Sequence, residues 1–203
     1  MNSGSCFCKI LFISMNYKSK TVISVCLMMA LVFSGCDFFG IRKAEAEVNE
    51  TLKLFNKALY YLDADDVRRL TDWTEDDPDY YGIEKLLDSG CFRDIDEDTV
   101  TCTKYVASTI SIDYDIDTLN IDGSRASIDV TYELTDWEKV YSDSTLTSYD
   151  EILTSLKSSK DKKTINSTIT FELVEGRWKM CQIYNLGEVL KFVYSIPLFE
   201  TLE

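Results

Sequence analysis

A chain of 203 residues without one histidine has few ways to do chemistry near neutral pH. Histidine bases, Ser-His-Asp and Cys-His sites and histidine metal ligands are all excluded. Carboxylates, tyrosines and cysteines remain. A tyrosine–carboxylate proton-transfer site needs an acid aimed into an apolar pocket beside a phenol. Trp73, Tyr114, Tyr132 and Trp178 are the aromatic residues that could line such a pocket; they serve equally as core packing, since amphipathic aromatics bury well. The acids Asp113, Asp115, Asp117, Asp129 and Glu133 fall on the polar side of the strand alternation described below, so no catalytic residue is assigned.

Asp94-Ile95-Asp96-Glu97-Asp98 places acids at the first, third and fifth positions of a calcium loop. The sixth position, which needs glycine, is Thr99, and the twelfth, which needs glutamate, is Tyr105. The segment reads as a solvated acidic loop, and neither metal nor cofactor is expected. Of the cysteines, Cys6 and Cys8 fit no metal-ligand spacing. Cys91 and Cys102 could close a disulfide loop worth about 2–3 kcal/mol, or both remain thiols. Cys181 falls in a strand.

Cys36 has a different setting. Lys18 and Lys20 precede 13 uncharged residues, Thr21–Phe33, too few for a membrane span of about 20 and suited to the apolar region of a signal peptide. The small residues Ser34 and Gly35 lead directly to Cys36. This stretch resembles the lipobox of bacterial lipoproteins, with Phe33 where leucine is usual. The resemblance implies a cleaved signal peptide over 1–35, a diacylglyceryl group on the Cys36 thiol, and a chain held at the extracytoplasmic face of the cell membrane. Two acyl chains anchor stably where one does not. The alternative is an uncleaved membrane segment with an incidental cysteine. Met15 would begin a more ordinary export segment than Met1 does.

The charge balance fits this location. The formal net charge is −14; all 35 acidic residues follow Cys36, whereas Lys9, Lys18 and Lys20 precede it. Such a field repels nucleic acid and anionic lipid surfaces. The 168 residues from Cys36 onward suit a single domain: a linker over 36–43, then one α+β domain over 44–203.

Val48, Leu52, Phe55, Leu59 and Leu62 share one face of a helix from Lys43 to Leu62. Asp63 or Asp65 caps a second helix bearing Val67, Leu70 and Trp73. Pro78 begins a third, with Ile83, Leu86 and Leu87 inward. Arg93–Thr99 reads as a loop. Val106, Ser108, Ile110, Ile112, Tyr114 and Ile116 then alternate with polar residues, as in a half-buried strand. After the turn Asn120-Ile121-Asp122-Gly123 comes a return strand with Ala126, Ile128, Val130, Tyr132 and Leu134 inward. A polar insertion near 142–163 carries a short helix over Tyr149–Leu156. Strands over Thr164–Val174 and Arg177–Ile183 meet at Glu175-Gly176, and a last helix begins at Leu186 and stops near Pro197.

Leading helices followed by long antiparallel hairpins resemble the nuclear transport factor 2-like, or cystatin-like, fold. The residues that carry the likeness are Tyr61-Leu62-Asp63-Ala64-Asp65, Ile121–Ala126 and Val174–Met180. The resemblance implies N-terminal helices packed on a curved antiparallel sheet that closes into a cone. Members of that group include isomerases, dehydratases and hydrolases as well as non-enzymatic binding proteins. The expectation here is a non-enzymatic module that binds an envelope protein or a small ligand; the alternative is a small enzyme with a Tyr/carboxylate pocket in the cone. An aliphatic and aromatic cleft would favour ligand capture, and a filled cone with a bare sheet face would favour a protein partner.

Overall fold

The computed structural model describes residues 40–74, 78–87 and 95–197. The chain divides into two compact units, Met1–Ala44 and Glu45–Glu203. Of the first, only residues 40–44 are described, and they are helical. The export segment, Cys36 and Cys91 lie outside the described residues. The second unit is α+β. Among its described residues are helices and five strands in one antiparallel sheet that does not close on itself.

Helix α1 spans 40–61. Val48, Leu52, Phe55 and Leu59 lie on one face and are fully buried, which stabilises the fold by about 1.5–3 kcal/mol for each side chain removed from water. The helix ends in a left-handed cap. Leu62 has φ 53°; its N–H donates to the Leu59 carbonyl at 3.1 Å and that of Asp63 to Ala58 at 2.9 Å, the paired bonds of a Schellman motif. Asp63 then caps α2, Ala64–Leu70, by accepting from the Asp66 N–H at 2.9 Å. Helix α3 is Pro78–Leu87, with Ile83 and Leu87 buried.

The next element corrects the sequence reading. Glu97–Ala107 is a helix, α4, where a loop and the start of a strand were expected. Its buried residues are Thr99, Cys102, Thr103, Val106 and Ala107, the i, i+3, i+4, i+7, i+8 pattern of a helix face. Asp96 caps it by accepting from the Thr99 N–H at 2.7 Å, and Glu97 and Asp98 sit at the positive end of its dipole. The acids read as an incomplete calcium loop thus begin a helix; Asp94 is outside the described residues.

The expected first strand shrinks to β1, Ser111–Asp113. Tyr114 follows it in a loop, and Ile116–Thr118 form a 3-10 turn capped by Asp115. Of Asp113, Asp115 and Asp117, which the alternation placed together on the polar side of that strand, only Asp113 is on a strand. Strand β2, Asn120–Asp122, turns through Gly123, φ 61°, into β3, Arg125–Thr135. Two short helices follow, α5 (Trp137–Tyr141) and α6 (Tyr149–Ser158). Helix α6 opens on a Ser148/Glu151 capping box. Strand β4 starts at Lys162, so the last two residues of the expected insertion belong to the sheet. Glu175 and Gly176 have φ 51° and 79° and join β4 (Lys162–Val174) to β5 (Arg177–Ile183) by a two-residue turn of the I′ kind. Helix α7, Leu186–Tyr194, ends before Pro197.

The sheet order is β1-β3-β4-β5, with β2 also on β3. Its inner face carries Ala126, Ile128, Val130, Tyr132 and Leu134 of β3, Ile165, Ile169 and Phe171 of β4, and Trp178, Met180 and Ile183 of β5, all buried. Helix α4 packs on β3, α6 and α7. Trp137 closes one end: its ring stacks at 5.4 Å on Phe192, and its Nε1–H donates to the Phe192 carbonyl at 2.9 Å. The free edge of β5 is covered by chain from 71 to 73. Thr71 bridges Met180, the Asp72 N–H donates to the Met180 carbonyl at 3.1 Å, and Trp73 Nε1–H donates to the Cys181 carbonyl at 2.8 Å.

Candidate functional site

Strand alternation sends every second residue of β3 and β4 to the side away from the helices. There the register pairs Arg125 with Glu172, Ser127 with Thr170, Asp129 with Thr168, Thr131 with Asn166 and Glu133 with Thr164. On β1, Asp113 stands opposite Thr131 and Ser111 opposite Glu133. The side chains of this outer face are exposed or half-buried.

The face is electrically uneven. At the β2 end, Arg125 Nε meets Glu172 Oε1 at 3.0 Å, and Lys179 pairs with Glu172 in register. At the β1 end a shallow groove of about 860 Å³ has Asp113, Asp115 and Asp129 in its lining, along with Tyr114 and, among the described residues, no lysine or arginine. Lys162 is the nearest lysine on this face of β4, six residues before the Thr168 that pairs with Asp129, about 20 Å along the strand. The groove wall is ordered by side-chain bonds. Thr168 donates to Asp129 Oδ1 at 2.7 Å, Thr131 to Asn166 Oδ1 at 3.1 Å, and Asn185 Nδ2–H to the Asn166 carbonyl at 2.8 Å. A cation held about 4 Å from one such carboxylate gains about 1 kcal/mol in bulk water and about 4 kcal/mol in a surface environment of intermediate dielectric.

The four aromatic residues that could line one pocket do not meet. Tyr132 and Trp178 are buried in the inner face, 0% and 8% exposed. Tyr114 lines the outer groove and donates its hydroxyl to Asn49 Oδ1 at 2.8 Å. Trp73 sits beyond the β5 edge. Burial pushes the Tyr132 hydroxyl well above the usual phenol range, against a contact with Ser167; no carboxylate acts on it. Ser167 itself donates to the Tyr184 carbonyl.

The thiols are held protonated. Burial, then the charges of Asp98 and Asp96, pushes Cys102 up to about 11, beside Tyr141. Tyr141 is raised too, by burial first and then by Cys102 and Asp96. A nucleophilic thiol needs its pKa lowered, so this pair is a structural one. Cys102 is a free thiol; Cys91, the partner considered for it, lies outside the described residues. Cys181 is also free, half-buried against Thr170 Oγ1 at 3.0 Å, and burial raises its pKa. Among the described residues no group of side chains is arranged to hold a metal ion, and no helix is long and apolar enough to cross a membrane.

Sequence reasoning missed that Asp113, Asp115 and Asp129 converge. The signal lay in the β1–β3 pairing, which sets Asp113 opposite Thr131, two register positions from Asp129; the alternation alone shows only that each faces outward. No protein-family model matches the chain, and no curated protein or solved structure matches it.

Proposed function

We propose that this chain is an extracytoplasmic lipoprotein, tethered by a diacylglyceryl group on Cys36, whose α+β domain of nuclear transport factor 2-like arrangement binds a basic protein partner at the cell envelope. The observation that carries the reading is the contrast between the two sheet faces. The inner one is filled by buried side chains such as Tyr132, Phe171 and Trp178, while the outer one has exposed or half-buried side chains and presents Asp113, Asp115 and Asp129 with no lining cation among the described residues. A filled interior leaves no chamber for a substrate. An exposed, acidic surface suits lysine and arginine side chains, which bring charge complementarity and fast, salt-sensitive association. The leading helices and the β3-β4-β5 meander support the fold likeness, and Ser34-Gly35-Cys36 supports the anchor.

Two experiments test the halves separately. Cys36→Ala should release the protein from membranes or leave the precursor uncleaved; a variant that matures and fractionates like the wild type refutes the anchor. A partner captured from envelope extract should weaken as salt is raised to about 0.3 M. It should also be lost with Asp113→Lys/Asp129→Lys and kept with Asp65→Lys/Asp150→Lys. Equal loss with both pairs would leave only the overall negative field at work.

A further inference from the structure

Helix α1 keeps one face in the core and turns the opposite one to solvent. At about 3.6 residues per turn, Val48, Leu52, Phe55 and Leu59 gather on the buried side, and Lys53, Leu54, Lys57 and Tyr61 fall within an arc of about 100° on the other. That outer arc is not an ordinary solvated face. Leu54, Tyr60 and Tyr61 are 44%, 44% and 65% exposed. With Ile41 they make four of the six large apolar residues exposed among the described residues, so exposed apolar surface collects on this one helix rather than scattering singly. The Tyr60 and Tyr61 rings meet edge to face, with centroids 4.7 Å apart. Lys53 and Lys57 are exposed beside them and, among the described residues, enter no ion pair. Glu50 is the one fully exposed acid of the helix. Lysine and tyrosine each carry an apolar body and a polar tip, and with leucine on one helix face they suit the boundary between water and lipid.

The tether decides which surface lies within reach. Glu45 is nine residues after Cys36, at most about 32 Å of extended chain. A face held so close meets the bilayer at an effective concentration that a freely diffusing partner does not match. The net charge of −14 repels most of the domain from anionic headgroups, but that field is screened beyond about 8 Å at physiological salt, so the sign of the touching face governs contact. The acidic sheet groove does not share this face. Asn49, which accepts from the Tyr114 hydroxyl at the groove, stands about 80° round the helix from Lys57.

We propose that the face of α1 bearing Lys53, Leu54, Lys57 and Tyr61 rests on the anionic headgroup surface of the membrane, so that the helix lies flat and the domain is held in one orientation. This rests on the lipid anchor proposed for Cys36. An upright helix would instead hold Tyr61 about 24 Å farther out than Glu45.

The test places a tryptophan on this face with Tyr61→Trp, and a control on α6 with Thr154→Trp, exposed in the native chain. Each mature lipoprotein is reconstituted in phosphatidylcholine vesicles with brominated phosphatidylglycerol, whose bromine quenches tryptophan on contact, and the wild type supplies the background. Tyr61→Trp should be quenched at least about twofold more than Thr154→Trp. Adding Lys53→Glu/Lys57→Glu should reduce that excess at least about twofold. Equal quenching at the two positions, or an excess that the lysine changes leave intact, overturns the proposal; a dimer that shields position 61 from lipid overturns it in favour of a second copy. The mass of the mature chain separates the two readings. Without the diacylglyceryl group the anchor fails and this contact with it, whereas a lipidated chain with Tyr61→Trp no more quenched than the control refutes the contact alone.

Discussion

Tyr132→Phe removes one oxygen from the middle of the inner sheet face and nothing else. Tyr132 is fully buried, between Ile112 of β1 and Ile165 of β4 in register. Its hydroxyl forms no well-shaped hydrogen bond. The nearest group, Ser167, has already committed its proton to the Tyr184 carbonyl, so it can only accept, and weakly. A buried hydroxyl left unsatisfied costs about 1–3 kcal/mol, and a poor bond offsets at most about 1 kcal/mol of that. The phenylalanine variant should therefore be as stable as the wild type or up to about 2 kcal/mol more so. Tyr132→Ala, which opens a cavity, should lose about 3–5 kcal/mol. Equilibrium urea unfolding followed by circular dichroism reads both through the midpoint at unchanged slope. If Tyr132→Phe instead loses more than about 1.5 kcal/mol, the hydroxyl has a partner in an internal space. The inner face would then hold an internal space, and a pocket there would follow.

Three further outcomes follow from local geometry. Asp96→Ala should cost about 1 kcal/mol by removing the α4 cap. Burial opposes the charge on Asp96, but hydrogen bonds from Thr99 and nearby amides hold its carboxyl below the usual range. Its contribution is thus present above about pH 4 and lost as pH falls through the lowered pKa, so the variant should show a flatter acid limb in stability against pH. Glu175→Asn should raise the melting temperature, by about 0.5–1 kcal/mol in stability, because asparagine tolerates the left-handed conformation that Glu175, φ 51°, adopts. Cys102 resists ionisation in the folded chain, with a pKa near 11. Stability should then decline as pH rises from about 9 toward 11, since only the unfolded thiol releases its proton there. Cys102→Ala should remove part of that decline, and a thiol reagent at neutral pH should reach Cys102 only on unfolding.

Much of this fold was legible in the sequence wherever one periodicity stood alone. Val48, Leu52, Phe55 and Leu59 allow only a helix, and Ala126, Ile128, Val130, Tyr132 and Leu134 allow only a strand; all nine are buried as expected. The turns at Gly123 and Glu175-Gly176 were marked by their glycines. The segment from 97 to 116 misled because two of its five buried helix-face residues are threonines, Thr99 and Thr103. Discounting them as polar leaves Val106, Ile110, Ile112 and Tyr114 in apparent alternation. Asp96 as a cap and Asp115 as a turn former were the missed signals, since both acids bond backbone amides locally. Trp137 and its short helix carried no periodic signal, because five residues, Trp137–Tyr141, are too few to show one. The candidate site was half legible: alternation put Asp113 and Asp129 outward, but only strand pairing sets them near each other.

The claim that the outer sheet face is the working surface is tested most directly by site-specific photo-crosslinking in living cells. A photoreactive residue replaces Thr131, at the centre of the acidic groove, or in a separate variant Thr154, exposed on α6. The account expects one discrete protein adduct from position 131, absent at 154 and abolished by Asp113→Lys/Asp129→Lys. No adduct at 131, or the same adducts at both positions, would contradict it.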